Sequence, residues 1–163
     1  MEVIHRLSPI PPPIARPTNA VADNPQARAL GEKIFGDVGF SKDGSVSCMT
    51  CHQPRYQFTN GQRVAETSFG KGTRNVPSIE TVGWQTWFFW DGRSDSAWAQ
   101  ATGPLLNPME HNSNPEQILE RVKSTYAQEF QDIFGAIPEQ PMQAVAEVGK
   151  VLEAFERTQG PRP

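Results

Sequence analysis

The residues best equipped for chemistry lie together at Cys48-Met49-Thr50-Cys51-His52, which includes the only two cysteines of the chain and one of its three histidines. Two cysteines three positions apart present both sulfurs from one short helical turn to the two vinyl groups of a single porphyrin, and the next residue reaches the iron as proximal ligand. A zinc site needs four ligands, and there is no third cysteine. A redox-active cysteine pair normally follows a strand and opens a helix, and no strand pattern precedes these residues. The motif therefore reads as covalent attachment of one haem c through Cys48 and Cys51, with His52 on the iron.

The sixth ligand then decides what the iron does. A filled position makes an electron carrier; an open one makes a site that binds peroxide or oxygen. Met49 lies inside the attachment turn and cannot reach round, His5 sits in an irregular N-terminal segment, and Met142 stands near the start of the last helix. Met109 and His111 follow the long middle loop at a plausible distance, and on spacing alone Met109 fits a His/Met carrier. His111 reads first as an exposed loop histidine.

The elements that must position this site are helices. Asp23 or Asn24 can cap a first helix, Pro25 suits its first turn, Ala27, Leu30, Ile34 and Phe35 recur at helical spacing, and Gly36 ends it. Residues 37–47 read as a Gly/Ser/Asp loop. Residues 53–83, rich in Gly, Asn and Thr, read as a long loop of the kind that usually carries function. An aromatic block follows: Trp84, Trp87, Phe88, Phe89 and Trp90. Ser94 or Asp95 can cap a helix to about Thr102, with Gly103-Pro104 as its stop. Asn114-Pro115-Glu116 caps another, with Ile118, Leu119 and Val122 as its apolar face. Tyr126 to Phe134, closed by Gly135, and about Pro141 to Arg157, with Val145, Val148, Leu152 and Phe155 as a stripe, complete the set. Nothing reads as a paired strand. The expected fold is all-α and cytochrome c-like, with the first helix crossing the last where Gly31 allows close approach near Leu152 and Phe155.

The domain division expected is an irregular Pro-rich segment over residues 1–22, with Ile4, Leu7, Ile10 and Ile14 available for docking, and a single-haem domain over residues 23–163. With 163 residues, 15 prolines, 13 glycines and a net charge of -3, the chain has room for one loop-rich core and no basic footprint for nucleic acid or a membrane surface. No apolar run approaches the roughly 20 residues of a bilayer span. Because haem is attached to such proteins outside the bacterial cytoplasm, a periplasmic location with the signal peptide already removed is expected.

From Leu30 onward the chain resembles the N-terminal, peroxidatic half of the bacterial di-haem cytochrome c peroxidases, a family that includes MauG-type and MbnH-type enzymes. The pieces that carry the resemblance are Leu30-Gly31-Glu32-Lys33-Ile34-Phe35, Val46-Ser47-Cys48-Met49-Thr50-Cys51-His52, Phe58-Thr59-Asn60-Gly61 and Arg74-Asn75-Val76-Pro77-Ser78. Phe89-Trp90-Asp91-Gly92-Arg93, Gly103-Pro104-Leu105-Leu106-Asn107-Pro108-Met109-Glu110 and Ala154-Phe155-Glu156-Arg157-Thr158 follow in the same order. The resemblance implies that Gln100 and Glu110 form the distal pocket, with the Glu110 carboxylate moving the proton of hydrogen peroxide during O–O cleavage. It implies that Pro104 shapes the same pocket, that Trp90 relays electrons between haems, and that Asn75 helps hold a calcium ion. Bland roles stand beside these: a solvated carboxylate at Glu110, a polar helix face at Gln100, packing at Trp90 and turn chemistry at Asn75.

Two departures from the family pattern matter. No histidine lies between His52 and His111, so the loop at Glu66-Thr67-Ser68-Phe69 cannot close the distal site as it does in some relatives, and an open iron is expected. No second haem motif is present either. The leading expectation is a cytochrome c peroxidase-type oxidoreductase site that reduces hydrogen peroxide or uses it to oxidise a redox partner protein, with hydrogen peroxide or another small haem ligand as its small-molecule partner. The alternatives are a single-haem electron carrier with Met109 or His111 as sixth ligand and a ligand-sensing haem domain. The aromatic block around Trp87 and Trp90 suits a homodimer contact or pairing with a second haem domain.

Overall fold

The computed structural model describes residues 10–160. Six helices carry the architecture. Helix α1 (Pro25–Gly36) starts where Asn24 Oδ1 accepts the backbone N–H groups of Gln26 at 2.8 Å and Ala27 at 3.2 Å, two of the donors that a helix start leaves unpaired. Helix α2 (Cys48–Cys51) is a single turn begun by a reciprocal Ser47–Thr50 cap, in which the Ser47 N–H donates to Thr50 Oγ1 at 3.0 Å. Helix α3 spans Ala97–Leu106, α4 Pro115–Thr125 behind an Asn114 cap, α5 Ala127–Phe134 and α6 Pro141–Glu156. Gly135 closes α5 at φ 81°.

Two expectations about these elements are corrected. The long middle loop does contain paired strands: β1 (Glu66–Thr67) runs antiparallel to β2 (Gly70–Lys71). The hairpin is too short to show any hydrophobic alternation in the sequence, and Thr67 Oγ1 helps it turn by accepting the Phe69 N–H at 3.1 Å. The helix expected to stop at Gly103-Pro104 runs through both to Leu106 and starts behind Ser96. Pro104 removes the hydrogen bond to the carbonyl of Gln100, one turn back, and its ring crowds that carbonyl, a cost confined to the last turn because α3 ends two residues later.

Helix α6 is the centre of the core, and α1, α3 and α4 pack against it. Ala144, Val145, Val148, Val151 and Leu152 of α6 are fully buried against Leu30, Ile34 and Phe35 of α1, Leu105 of α3, and Ile118 and Val122 of α4. Each large apolar side chain removed from water contributes about 1.5–3 kcal/mol before entropy is counted. The crossing of α1 over α6 is close at Gly31, where a Cβ would stand 2.0 Å from the Val151 carbonyl oxygen and 2.8 Å from Phe155 Cβ. Gly149 does the same for α3, where a Cβ would lie 2.5 Å from the Trp98 carbonyl oxygen.

Residues 10–22 hold no helix and lie along the domain. Of the residues expected to dock this segment, Ile14 is half-buried, and further along Val21 packs against the core and Ala22 is buried. Ile4 and Leu7 fall outside the described residues, and Ile10 is half exposed. Polar contacts add to this attachment: the Ile14 N–H donates to Gly83 O at 2.9 Å, Trp84 Nε1 to Pro11 O at 2.7 Å and Trp98 Nε1 to Thr18 Oγ1 at 3.1 Å. The Arg16 side chain, 6% exposed, reaches Glu153 on α6. Among the described residues no helix is long and apolar enough to cross a membrane.

Candidate haem site

An open cleft lies between α2, α3, the turn after α3 and the end of α6. Cys48, Cys51 and His52 line it from the attachment turn, Gln100, Ala101 and Pro104 from α3, Glu110 and His111 from the following turn, and Glu156 from α6. Residues far apart in the chain, His52, Gln100, Pro104 and Glu110, thus share one cavity.

His52 is set by backbone. Its N–H closes α2 on the Cys48 carbonyl at 2.8 Å. Gln57 and Phe58 both adopt left-handed φ values, 54° and 57°, and this turn brings the Phe58 carbonyl within 3.0 Å of His52 Nδ1. Nδ1–H donates there, which leaves Nε2 as the nitrogen available to iron. Burial holds the imidazole below its usual pKa, against the opposing pull of the Phe58 and Pro77 carbonyls, so the ring is in the neutral form that binds metal.

The cysteines fit thioether attachment. Burial pushes the Cys48 thiol far above its ordinary range, and the negative charges of Glu156, Cys51 and Glu110 push the same way. Burial, then Glu110, raise the Cys51 thiol. A thiolate is therefore costly here, whereas a thioether carries no charge. Two polar atoms in the cavity wall, His111 Nδ1 and Glu156 Oε2, are buried without a hydrogen-bond partner. Orphaned polar atoms of this kind imply that the cavity receives something more. The donor set, the cavity and its unsatisfied wall fit a covalent haem.

Glu110 is half-buried and held by one oxygen: Asn107 Nδ2 donates to Oε1 at 2.6 Å, which leaves Oε2 for the cavity. Burial raises its pKa, and the Asn107 hydrogen bond and the Arg93 charge oppose this. Asn107 builds the whole turn, since its Oδ1 accepts the Met109 N–H and its carbonyl accepts the N–H groups of Glu110 and Asn112. Gln100 stands one turn before Pro104, so the two face the cavity from the same side of α3.

His111, expected to be an exposed loop histidine, is 4% exposed and belongs to the cavity wall. The turn forces it inward: its N–H donates to Pro104 O at 3.2 Å and its carbonyl accepts the Lys42 N–H at 2.9 Å. Nε2 lies 4.0 Å from Cys48 Sγ. Met109, the other ligand candidate, is 45% exposed, does not line the cavity, and lies against Gly70 of β2. Glu156 was missed as a site residue, although a signal exists. It falls four residues after Leu152 on the apolar stripe of the last helix, so a charged side chain sits on a buried face.

Trp90 and Asn75 are brought to each other and not to the cavity. Trp90 is 66% exposed and its Nε1 donates to Asn75 O at 3.1 Å, while Asn75 Nδ2 donates to Gln62 O at 2.7 Å. Trp87, also 66% exposed, lies on the same stretch of chain. Among the described residues no group of three or more His, Cys, Asp or Glu side chains converges as a metal site.

Residues 25–161 match the family described as di-haem cytochrome c peroxidase. The chain is 38% identical over 153 residues to the methylamine utilization protein MauG of Methylorubrum extorquens, covering 91% of this chain and 41% of that protein. It is 35% identical over 115 residues to the cytochrome c551 peroxidase of Pseudomonas aeruginosa, covering 67% and 32%. Among solved structures, a MauG-like protein associated with microbial copper homeostasis superposes with a TM-score of 0.80 at 28% identity, over 93% of this chain and 45% of that one. The diheme peroxidase BthA of Burkholderia thailandensis superposes with a TM-score of 0.74 at 26% identity, over 90% and 42%. The chain spans less than half the length of each of these relatives. The helical fold is the cytochrome c-like fold of these relatives, and the chain belongs to the di-haem cytochrome c peroxidase family.

Proposed function

We propose that this domain binds one haem c through Cys48, Cys51 and His52 and serves as a peroxidase-type site, reducing hydrogen peroxide or using it to oxidise a redox partner protein. The observation that carries this reading is the convergence of Gln100, Pro104 and Glu110 on the cavity that also holds the attachment turn. The bound haem supplies an iron that coordinates peroxide and accepts its oxidising equivalents. The chain supplies the rest. Glu110 Oε2 takes the proton from the peroxide oxygen that attacks and returns it to the oxygen that leaves, while Asn107 holds the carboxyl group in place through Oε1. Gln100 orients peroxide or water by its side-chain amide. Phe58 O fixes the His52 ring.

The exposed Trp87–Trp90 stretch is, in this reading, where a second haem domain, a redox partner or a second copy docks, and Trp90 is the relay for electrons across that face. Any calcium at Asn75 belongs to the same contact. The family's haem attachment supports a periplasmic setting.

The test is optical and paramagnetic spectroscopy of the ferric protein before and after peroxide. A high-spin signal that peroxide converts to an oxidised product is expected. Glu110→Gln should keep the haem and slow that conversion by about 10²–10⁴-fold, the usual range for a lost acid–base group. A low-spin signal indifferent to peroxide would overturn the proposal.

A further inference from the structure

Glu156 has no part in the chemistry above, yet it lines the haem cavity. The residue is 6% exposed, and its Oε2 is buried without a hydrogen-bond partner. One helical turn earlier on α6 stands Glu153, which is fully buried. Glu153 leads away from the cavity: Oε2 accepts Asn19 Nδ2 at 2.8 Å, and Oε1 pairs with Arg16 Nε at 3.0 Å. Arg16 in turn lines a second, separate cavity whose rim carries the exposed Thr86 and Asp95. Two carboxyl groups and one guanidinium thus run from the wall of the haem cavity to a second opening at the surface.

Buried carboxyl groups in series cost stability, so their placement asks for a use. Peroxide reduction has one. Its balance is H2O2 + 2 H+ + 2 e− → 2 H2O, with the electrons supplied by the redox partner. Glu110 only passes a proton between the two oxygens of peroxide and returns to its starting state, so both protons of the balance must come from outside. We infer that Glu156 and Glu153 form a proton-delivery route into the haem cavity, carrying from the Arg16 opening the protons that peroxide reduction consumes; this rests on the peroxidase reading above.

The surroundings of Glu156 suit the role. Burial, then the charge of Glu153, push its pKa up to about 8, so it carries a proton at neutral pH and can release it. The charged and titratable groups that face it are Glu153 from α6, Cys48 from α2, and, around the same cavity, Cys51, His52, Glu110 and His111. The face of α1 packed on α6 is apolar, and α3 contributes the neutral Gln100.

Glu156→Gln in the haem-loaded protein keeps the shape and neutrality of the side chain and removes only the exchangeable proton. Peroxide turnover at saturating reductant should fall about tenfold or more in kcat with KM for peroxide unchanged, and Glu156→Asp should recover part of it. A second readout needs no peroxide. The haem midpoint potential of the native protein should fall as pH rises between about 6 and 9, because reduction of the iron favours a bound proton nearby, and Glu156→Gln should abolish this dependence. Native kcat and an unchanged potential profile in Glu156→Gln would overturn the route and place proton supply at the half-exposed Glu110. A native protein that ignores peroxide would instead sink the peroxidase reading. The potential profile then judges Glu156 alone: loss of the dependence in Glu156→Gln supports it as the exchanging acid, and persistence overturns it.

Discussion

Gly31→Ala adds one methyl group at the crossing of α1 over α6, and its effect can be worked from the structure. On an isolated helix the change is favourable by about 1 kcal/mol, because glycine is the worse helix former. Here the new Cβ stands 2.0 Å from the Val151 carbonyl oxygen and 2.8 Å from Phe155 Cβ. Ordinary contact begins at 3.4 Å, so the helices must part by roughly 1.4 Å at this point. The obstructing atom is helix backbone, which no rotamer change can clear, and the separation loosens Ile34 and Phe35 from α6 as well. Overpacking of this kind costs about 1–3 kcal/mol and more when backbone is struck. The expected net loss is about 2 kcal/mol or more, a fall in melting temperature of roughly 4–8 °C for a chain of this size. Gly36→Ala is the control: the same change in the same helix, where the Cβ meets only Met49 Cε at 3.8 Å. Thermal unfolding of the haem-loaded proteins, with haem absorbance per mole of chain, reads both. Gly31→Ala melting with Gly36→Ala, at or above the native temperature, would show that the close crossing is wrong.

Arg121→Ala removes a two-pronged partner from Asp37, whose carboxyl oxygens accept Arg121 Nε and Nη2 at 2.9 Å each and the Tyr126 hydroxyl at 2.8 Å. A loss on the order of 1–3 kcal/mol is expected by chemical denaturation. Burial alone would raise the Asp37 pKa, but the hydrogen bonds from the Gly39 N–H, Tyr126 and Arg121 outweigh it and hold the group below its ordinary range. Its contribution is therefore present above about pH 4 and lost as pH falls through the lowered folded value, so acid titrations of the native protein and Arg121→Ala should converge. Glu156 works in the opposite sense: burial lifts its folded-state pKa to about 8, above the ordinary 4.5 of a glutamate, so the folded chain binds the extra proton and loses stability as pH rises from 4.5 through 8. Glu156→Gln should gain on the native chain across that window, and equal melting temperatures at pH 5.5 and 8.5 for both proteins would contradict it. Trp84→Phe deletes the 2.7 Å hydrogen bond to Pro11 O and should cost about 0.5–1.5 kcal/mol while speeding proteolysis within residues 10–22.

Local signals in the chain carried far in this protein. The cysteine–histidine turn names its cofactor because two sulfurs and a ring nitrogen at that spacing suit little else. Asn24 with Pro25 and Asn114 with Pro115 mark helix starts because each satisfies unpaired backbone donors within three residues. The apolar stripe of α6 marks the central helix because one face must leave water. Gly31 predicted the close crossing, since only a residue without a side chain lets two backbones meet. Those are properties of neighbours in the chain, and a sequence holds them whole. Other features depend on partners that the sequence places far away. That α3 runs through Pro104 was decided by packing on α6 around Gly149, which outweighs one lost hydrogen bond. His111 is buried because the Asn107 turn and the Lys42 N–H fold it inward, and its own type and neighbours give no sign of that. Glu110 lies with His52 while Trp90 lies apart from both, although Trp90 and Glu110 belong to equally specific motifs. Glu156 becomes part of the haem cavity only where the end of α6 meets the attachment turn. Distance and burial belong to the folded chain, and they alone decide which of its reactive groups can act on one another.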